Sequence, residues 1–174
     1  MTVTLNSAGG ASVPNWLIVQ TNSALSGLST ITFSGLSGYA KYRLMASNLV
    51  AVSGTTVVTL NSDTTAKYSF VSTANTNSVA ADGYQTYKGT AQTSVPLSTG
   101  NGIAPSFDVT VDNALILTPK AIVGWGADTT NLGTASFEIG RIDGIYQSSS
   151  LLTSITITRT ANFTSGTIYL LGAS

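Results

Sequence analysis

Side chains alternate between apolar and polar along much of this chain, and the alternation is clearest in Leu151–Ser174. There Ile155 and Ile157 alternate with serine and threonine, and Ile168 and Leu170 repeat the pattern after a polar, glycine-containing turn. A period of two places one face of a strand in a core and the other in solvent. The segment therefore predicts two strands joined as a hairpin.

Shorter alternating runs precede this segment, and the most regular is Ser106–Asp112, with Phe107, Val109 and Val111 on one face. No stretch keeps the apolar spacing of a helix. We therefore expect an all-β fold of about eight to ten antiparallel strands. The length favours a jelly-roll β-sandwich over an immunoglobulin-like sandwich, which needs only about 100 residues.

Residues 15–174 are expected to form one domain, because 174 residues can build a single core. Residues 1–14 are expected to form a short N-terminal arm. A flexible Ser7-Ala8-Gly9-Gly10 run and Pro14 define that arm. An arm of this kind can reach a neighbouring subunit or simply be a loose terminus.

The composition excludes several classes of function. The chain contains no Cys and no His, which removes disulfides, thiolate nucleophiles, Ser-His triads and the usual zinc ligands. Charged residues make up 8% of the chain and the formal net charge is zero, so a nucleic-acid-binding protein is not expected. No apolar run approaches the roughly 20 residues of a membrane helix, so no membrane partner is expected. Near-zero charge favours association between copies.

The carboxylates offer little catalytic chemistry. Asp63 and Asp128 each precede two threonines, and both are interpreted as turn residues rather than as an aspartic-protease dyad. Asp108 and Asp112 share one face of a predicted strand, where a glycosidase pair is conceivable but a solvated face is expected. We therefore expect no enzyme, no cofactor and no metal site. Calcium stays open at two oxygen-rich pairs: Asn61 with Asp63, and Asp128 with Asn131.

The contacts with partners are expected at a long polar stretch, residues 72–89, where the alternation fails. Long loops without regular structure are often binding loops. Its tyrosines can stack on sugar rings or on a neighbouring subunit. Two arginines at predicted strand ends can meet acids of a neighbour or lie along the rim of their own sheet. The candidate partner-binding residues are Tyr84, Tyr87, Lys88, Arg141 and Arg159.

Two segments resemble jelly-roll virion proteins of tailed bacteriophages. The first runs from Tyr39-Ala40-Lys41-Tyr42-Arg43-Leu44 through Leu60-Asn61-Ser62-Asp63 to Tyr68. It is similar to the opening of those proteins, where a tyrosine-containing strand precedes a hydrophobic strand, an Asn/Asp turn and another tyrosine. The second is the closing segment described above. It is similar to their last strands, although Leu171 stands where they commonly carry an aromatic residue.

The resemblance implies a non-enzymatic structural protein of the phage particle, assembled in the host cytoplasm. Its expected role is that of a capsid decoration (cement) protein, which binds the major capsid protein and stabilises the outer shell as a homo-oligomer. A trimer would suit a three-fold axis of the shell. The alternative is a tail-tip or fibre domain that recognises a glycan on the host surface.

Overall fold

The computed structural model of this protein describes residues 15–52, 54–77, 83–98, 103–129 and 137–174. The predicted arm, residues 1–14, lies outside these ranges. Within them the chain forms strands and no helix, so none of the described segments is a helix that could cross a membrane. The strands in chain order are β1 (Leu17–Asn22), β2 (Thr30–Ser34), β3 (Lys41–Ala51), β4 (Thr56–Leu60), β5 (Tyr68–Asn77), β6 (Gly83–Gln92), β7 (Val95–Ser98), β8 (Ser106–Val111), β9 (Lys120–Thr129), β10 (Phe137–Tyr146), β11 (Ser154–Arg159) and β12 (Phe163–Ala173).

The strands form two antiparallel sheets in a β-sandwich-like arrangement. The large sheet has the order β1-β12-β3-β8-β9-β10-β5-β6, and the small sheet has the order β2-β11-β4-β7. One core cluster contains buried side chains from both sheets, among them Phe33 and Ile157 of the small sheet and Leu44 and Val109 of the large one. The predicted all-β class is therefore confirmed, although the described residues form twelve strands and not the eight to ten that were predicted.

Eight of the strands pair in a nested series. β1 pairs with β12, β2 with β11, β3 with β8, and β4 with β7, every pair antiparallel. The first half of the chain therefore folds back on the second half as one long ribbon. The remaining strands, β5–β6 and β9–β10, extend the large sheet beyond β8.

The predicted closing hairpin is wrong. β11 and β12 are both strands, as the alternation indicates, but β11 pairs with β2 and β4 whereas β12 pairs with β1 and β3. The connection between them crosses from the small sheet to the large one. Alternation fixes which face of a strand is buried, but it contains no information about the partner strand.

The long polar stretch predicted as a loop, residues 72–89, instead contributes most of an antiparallel pair. β5 and β6 pair from Tyr68↔Gln92 to Thr76↔Gly83, with a shift of register between Tyr68 and Phe70. The inward positions of β5 are small residues, Ser72 and Ala74, which lack the apolar signal of a strand although both are buried. Threonine and asparagine occupy the outward positions, where a solvated face accepts polar residues.

The inward faces of two predicted strands can be compared with the structure. Phe107, Val109 and Val111 of β8 are all buried, as the alternation predicts. Alternation in Ser136–Arg141 predicts that Phe137 and Ile139 face inward. In β10, however, Ile139 is 49% exposed, whereas Ile142 is buried. Gly140 takes the inward position. Only glycine fits there, because a Cβ would overlap the Thr73 carbonyl of β5. The inward register of β10 was therefore predicted one residue out of phase.

Candidate functional surfaces

Four of the five predicted contact residues lie in strands of the large sheet. Lys88 of β6 and Arg141 of β10 are exposed on its outer face, since Lys88 is paired with Val71 and Arg141 with Trp125. Tyr87 points to the opposite side of β6 and is 37% exposed. Tyr84 of β6 lies opposite Asn75 of β5, and the side chain of Tyr84 is outside the described part of the chain.

Arg159 lies in the interior of the fold. Its side chain is fully buried, and one of its guanidinium nitrogens, Nη1, lies 3.6 Å from Oδ2 of Asp128 in the other sheet. The same nitrogen donates a 2.5 Å hydrogen bond to Oγ1 of Thr56. Burial lowers the pKa of Arg159, and the Asp128 carboxylate opposes that shift. Asp128 is thus a buried strand residue and not the predicted turn residue. Its side chain points inward from β9, where Arg159 is its cationic partner. Arg159 is not part of an exposed contact surface.

The outer face of the large sheet carries five exposed apolar side chains on three neighbouring strands. We call this set the apolar face: Val71 of β5, Val123 and Trp125 of β9, and Ile139 and Ile145 of β10. Trp125 is 48% exposed. Arg141 and Asp143 lie between these residues and bond to each other through two contacts of 2.7 and 2.9 Å. No sequence pattern indicates this face, because its members are distant in the chain and only the strand order β9-β10-β5 brings them together.

A depression of about 390 Å³ lies within the apolar face. Val71, Val123 and Ile145 line it, and Lys88 and Asp143 contribute one charge of each sign. Gly89 and Gly144 also line it and add no side-chain bulk. The depression is therefore mainly apolar, with no net charge.

A second exposed apolar feature is the loop between β8 and β9. We call Leu115, Ile116 and Leu117 the apolar tip, and Leu117 is 67% exposed. Lys120 is fully buried beneath this loop, and its ammonium group donates a 2.8 Å hydrogen bond to the Ile116 carbonyl and another to the Thr118 carbonyl. Burial lowers the pKa of Lys120. The buried cation fixes the loop backbone, so the three aliphatic side chains are held in an exposed position.

A third feature is a groove between an edge strand of the large sheet and an edge strand of the small sheet. We call it the edge groove. β6 ends the large sheet and β7 ends the small one, and the chain passes directly from one to the other. The groove has a volume of about 300 Å³ and no charged lining residue. Its lining consists of Thr55, Val57, Phe70, Tyr87, Gln92, Ser94, Pro96 and Ser98.

The carboxylates considered for catalysis or calcium are engaged with other groups. Asp108 accepts two hydrogen bonds from Arg43, of 2.6 and 2.5 Å, and Asp112 lies 3.0 Å from the Lys41 ammonium. Asp63 accepts hydrogen bonds from Thr65 and neighbouring groups, which matches its predicted turn role.

No cluster of three acidic or other metal-ligating residues occurs among the described residues. Asn61, proposed with Asp63 as a calcium pair, accepts hydrogen bonds from Thr153 and Ser154 through its amide oxygen. Asn131, the partner proposed for Asp128, lies outside the described residues.

Comparison with the models of protein families, with curated proteins and with solved structures finds no match for this chain.

Proposed function

We propose that this chain is a non-enzymatic structural subunit of a tailed-phage particle, and that it binds the outer shell of the capsid as a decoration (cement) protein. It would act as a symmetric homo-oligomer, with the major capsid protein as its partner. A subunit that binds only the assembled lattice stabilises that lattice by mass action.

We further propose that the fold is a jelly roll. A jelly roll is an eight-stranded ribbon that rolls into two sheets. The nested pairs β1·β12, β2·β11, β3·β8 and β4·β7 have that arrangement, and successive strands of the series alternate between the sheets. β5, β6, β9 and β10 would then be two insertions that widen one sheet. The strand order supports this proposal and the resemblance to phage virion proteins.

The observation that carries the proposed role is the apolar face. Three strands at spacings of about 4.8 Å, over about seven residues each, cover on the order of 300 Å². Contiguous apolar patches of roughly that size on a monomer are often functional. A standard interface buries about 800 Å² per partner, with an apolar centre and a polar rim. The apolar face has the size expected of such a centre, and the Arg141–Asp143 ion pair that lies between its apolar residues carries no net charge.

The test is binding to phage heads that lack the protein. The wild-type chain should sediment with the heads in hundreds of copies per particle. Trp125→Lys should weaken this binding at least about tenfold, because a large aromatic residue in an interface is a typical hot spot. Leu28→Lys changes an exposed leucine outside the apolar face and should bind as the wild type does. Absence of wild-type binding, or equal binding by Trp125→Lys, would contradict the proposed role.

The second candidate is a tail-tip or fibre domain that recognises a host glycan. The edge groove favours it, because Phe70 and Tyr87 offer aromatic surfaces while Gln92 and Ser94 offer hydrogen-bonding groups. Quantitative gels of purified virions distinguish the two roles. Hundreds of copies per particle indicate the capsid, whereas a handful indicates the tail.

A further inference from the structure

We propose that the apolar tip of one copy inserts into the depression on the apolar face of a second copy. The tip is Leu115, Ile116 and Leu117, and the depression is lined by Val71, Val123 and Ile145. This inference rests on the proposed function only in treating the chain as a subunit of an assembly. It identifies the contact through which the copies would associate.

The first argument is the conformation of the tip. Three consecutive exposed aliphatic residues are unfavourable in water, and a mobile loop could fold them against its own surface. Here Lys120 holds the loop through two carbonyl groups, and Asn113 donates a 3.1 Å hydrogen bond to the Pro119 carbonyl. A loop that is already ordered loses less conformational entropy on binding. The tip therefore has the properties of a preorganised contact element.

The second argument is the match between the two surfaces. The depression is open and mainly apolar, and its volume of about 390 Å³ leaves room for aliphatic side chains. Its charged lining residues, Lys88 and Asp143, have opposite signs, and Asp143 is bonded to Arg141. An uncharged aliphatic tip would therefore meet no unbalanced charge at the depression.

The third argument is the weak electrostatic repulsion between copies of the chain. The chain has no net charge, so its copies do not repel one another strongly. A contact between two different surface patches closes into a ring or a reciprocal pair when the geometry permits. The Trp125 and Ile139 end of the apolar face would remain available for the shell.

Cysteine crosslinking tests this contact directly, because the chain contains no native Cys. Leu117→Cys protein is mixed with Val71→Cys protein and oxidised, and the products are separated on a non-reducing gel. A disulfide forms only where the two Cα atoms approach within about 7 Å. The mixture should give a crosslinked dimer in clear excess over either variant alone. Leu28→Cys mixed with Val71→Cys is the matched control and should not.

Sedimentation of the purified protein gives an independent measure. Leu117→Asp should weaken self-association at least about tenfold, whereas Leu28→Asp should leave it unchanged. A wild-type chain that stays monomeric at high concentration, or equal crosslinking with the Leu28→Cys control, would overturn the proposal.

The shell-binding role and this contact can fail separately. Leu117→Asp should retain binding to phage heads through Trp125, and Trp125→Lys should retain the crosslink between copies. Loss of head binding by Trp125→Lys together with intact self-association would support both assignments.

Discussion

The Asp63 carboxylate accepts hydrogen bonds from both the backbone and the side chain of Thr65, from Lys67 and from Tyr146. The Thr65 hydroxyl and backbone amide, followed by Lys67, hold the pKa of Asp63 well below its usual value. The lowered pKa contributes stability that is fully present above the unfolded value of about 3.9. That contribution is lost progressively as the pH falls through this value towards the lower pKa of the folded state, because the unfolded carboxyl group then binds a proton that the folded carboxylate does not.

We expect Asp63→Asn to lower the free energy of unfolding by about 1–2 kcal/mol at neutral pH, because Asn cannot accept from Lys67 as a carboxylate does. The difference from wild type should narrow as the pH falls below about 4. Urea unfolding at several pH values measures both effects. Asp112→Asn, at a more exposed ion pair, should cost less than about 1 kcal/mol. A constant difference across this pH range would show that the Asp63 charge is not responsible.

Arg159 provides a second prediction at the scale of single residues. Arg159→Met removes the cation that lies 3.6 Å from the buried Asp128 carboxylate. Breaking a buried pair in this way typically costs about 3–5 kcal/mol, because one charge remains buried without its partner. The double variant Arg159→Met/Asp128→Leu should recover much of that loss, since it removes both charges. Urea unfolding of the single and double variants measures the coupling, and a double variant less stable than the single one would refute this account.

At the scale of strands, alternation predicted the buried faces of β8 and of the two closing strands, but it did not predict their partners. β11 and β12 are adjacent in sequence and lie in different sheets. The stretch from Ser72 to Gly89 was missed because Ser72 and Ala74 fill inward positions that usually hold large apolar residues. Pairing depends on contacts between residues far apart in the chain, and one strand's sequence does not contain them.

The approach of β7 to β9 gives a prediction about how closely the sheets pack. Gly126 of β9 faces the small sheet, and a Cβ on it would overlap the Leu97 carbonyl oxygen of β7. Because a backbone atom cannot move aside without moving its strand, Gly126→Ala should cost about 3 kcal/mol or more.

Gly144→Ala on neighbouring β10 is the control for this prediction. Its Cβ would lie closest to the Val95 side chain, at 3.0 and 3.1 Å, and that side chain can shift. The substitution should cost about 1 kcal/mol. Thermal unfolding compares the two variants, and equal losses would mean that the contact between the sheets at Gly126 is not as close as described.

At the scale of the whole molecule, the exposure of the candidate contact residues was only partly predictable. Lys88 and Arg141 are exposed, but Arg159 is internal. Its burial could not be predicted, because a sequence pattern does not show which strand ends have an acid nearby. The apolar tip did leave a signal: Leu115-Ile116-Leu117 interrupts the alternation between Asn113 and Pro119. The apolar face left none, because Val71, Val123 and Ile145 become neighbours only in the folded sheet.

The distribution of charge predicts how association responds to salt and temperature. Among the residues that the structure describes, five of the seven cationic side chains form ion pairs: Lys41–Asp112, Arg43–Asp108, Lys67–Asp63, Arg141–Asp143 and Arg159–Asp128. Contacts between copies should therefore be mainly apolar. Raising NaCl from about 0.05 to 0.5 M, which screens exposed charges, should change the dissociation constant less than about threefold. Sodium sulfate and moderate warming should strengthen association, because both favour burial of apolar surface.

Sedimentation equilibrium across these conditions measures the response. A tenfold weakening in NaCl would mean that charged groups hold the copies together, and the apolar tip and apolar face would then not be the contact. Strengthening on cooling would point to the same conclusion, since hydrophobic association weakens as the temperature falls. Association should be insensitive to salt, and Leu117→Asp should abolish it whereas Leu28→Asp should not. That result would identify the three aliphatic side chains of the apolar tip, whose loop is fixed by one buried lysine, as the contact between copies.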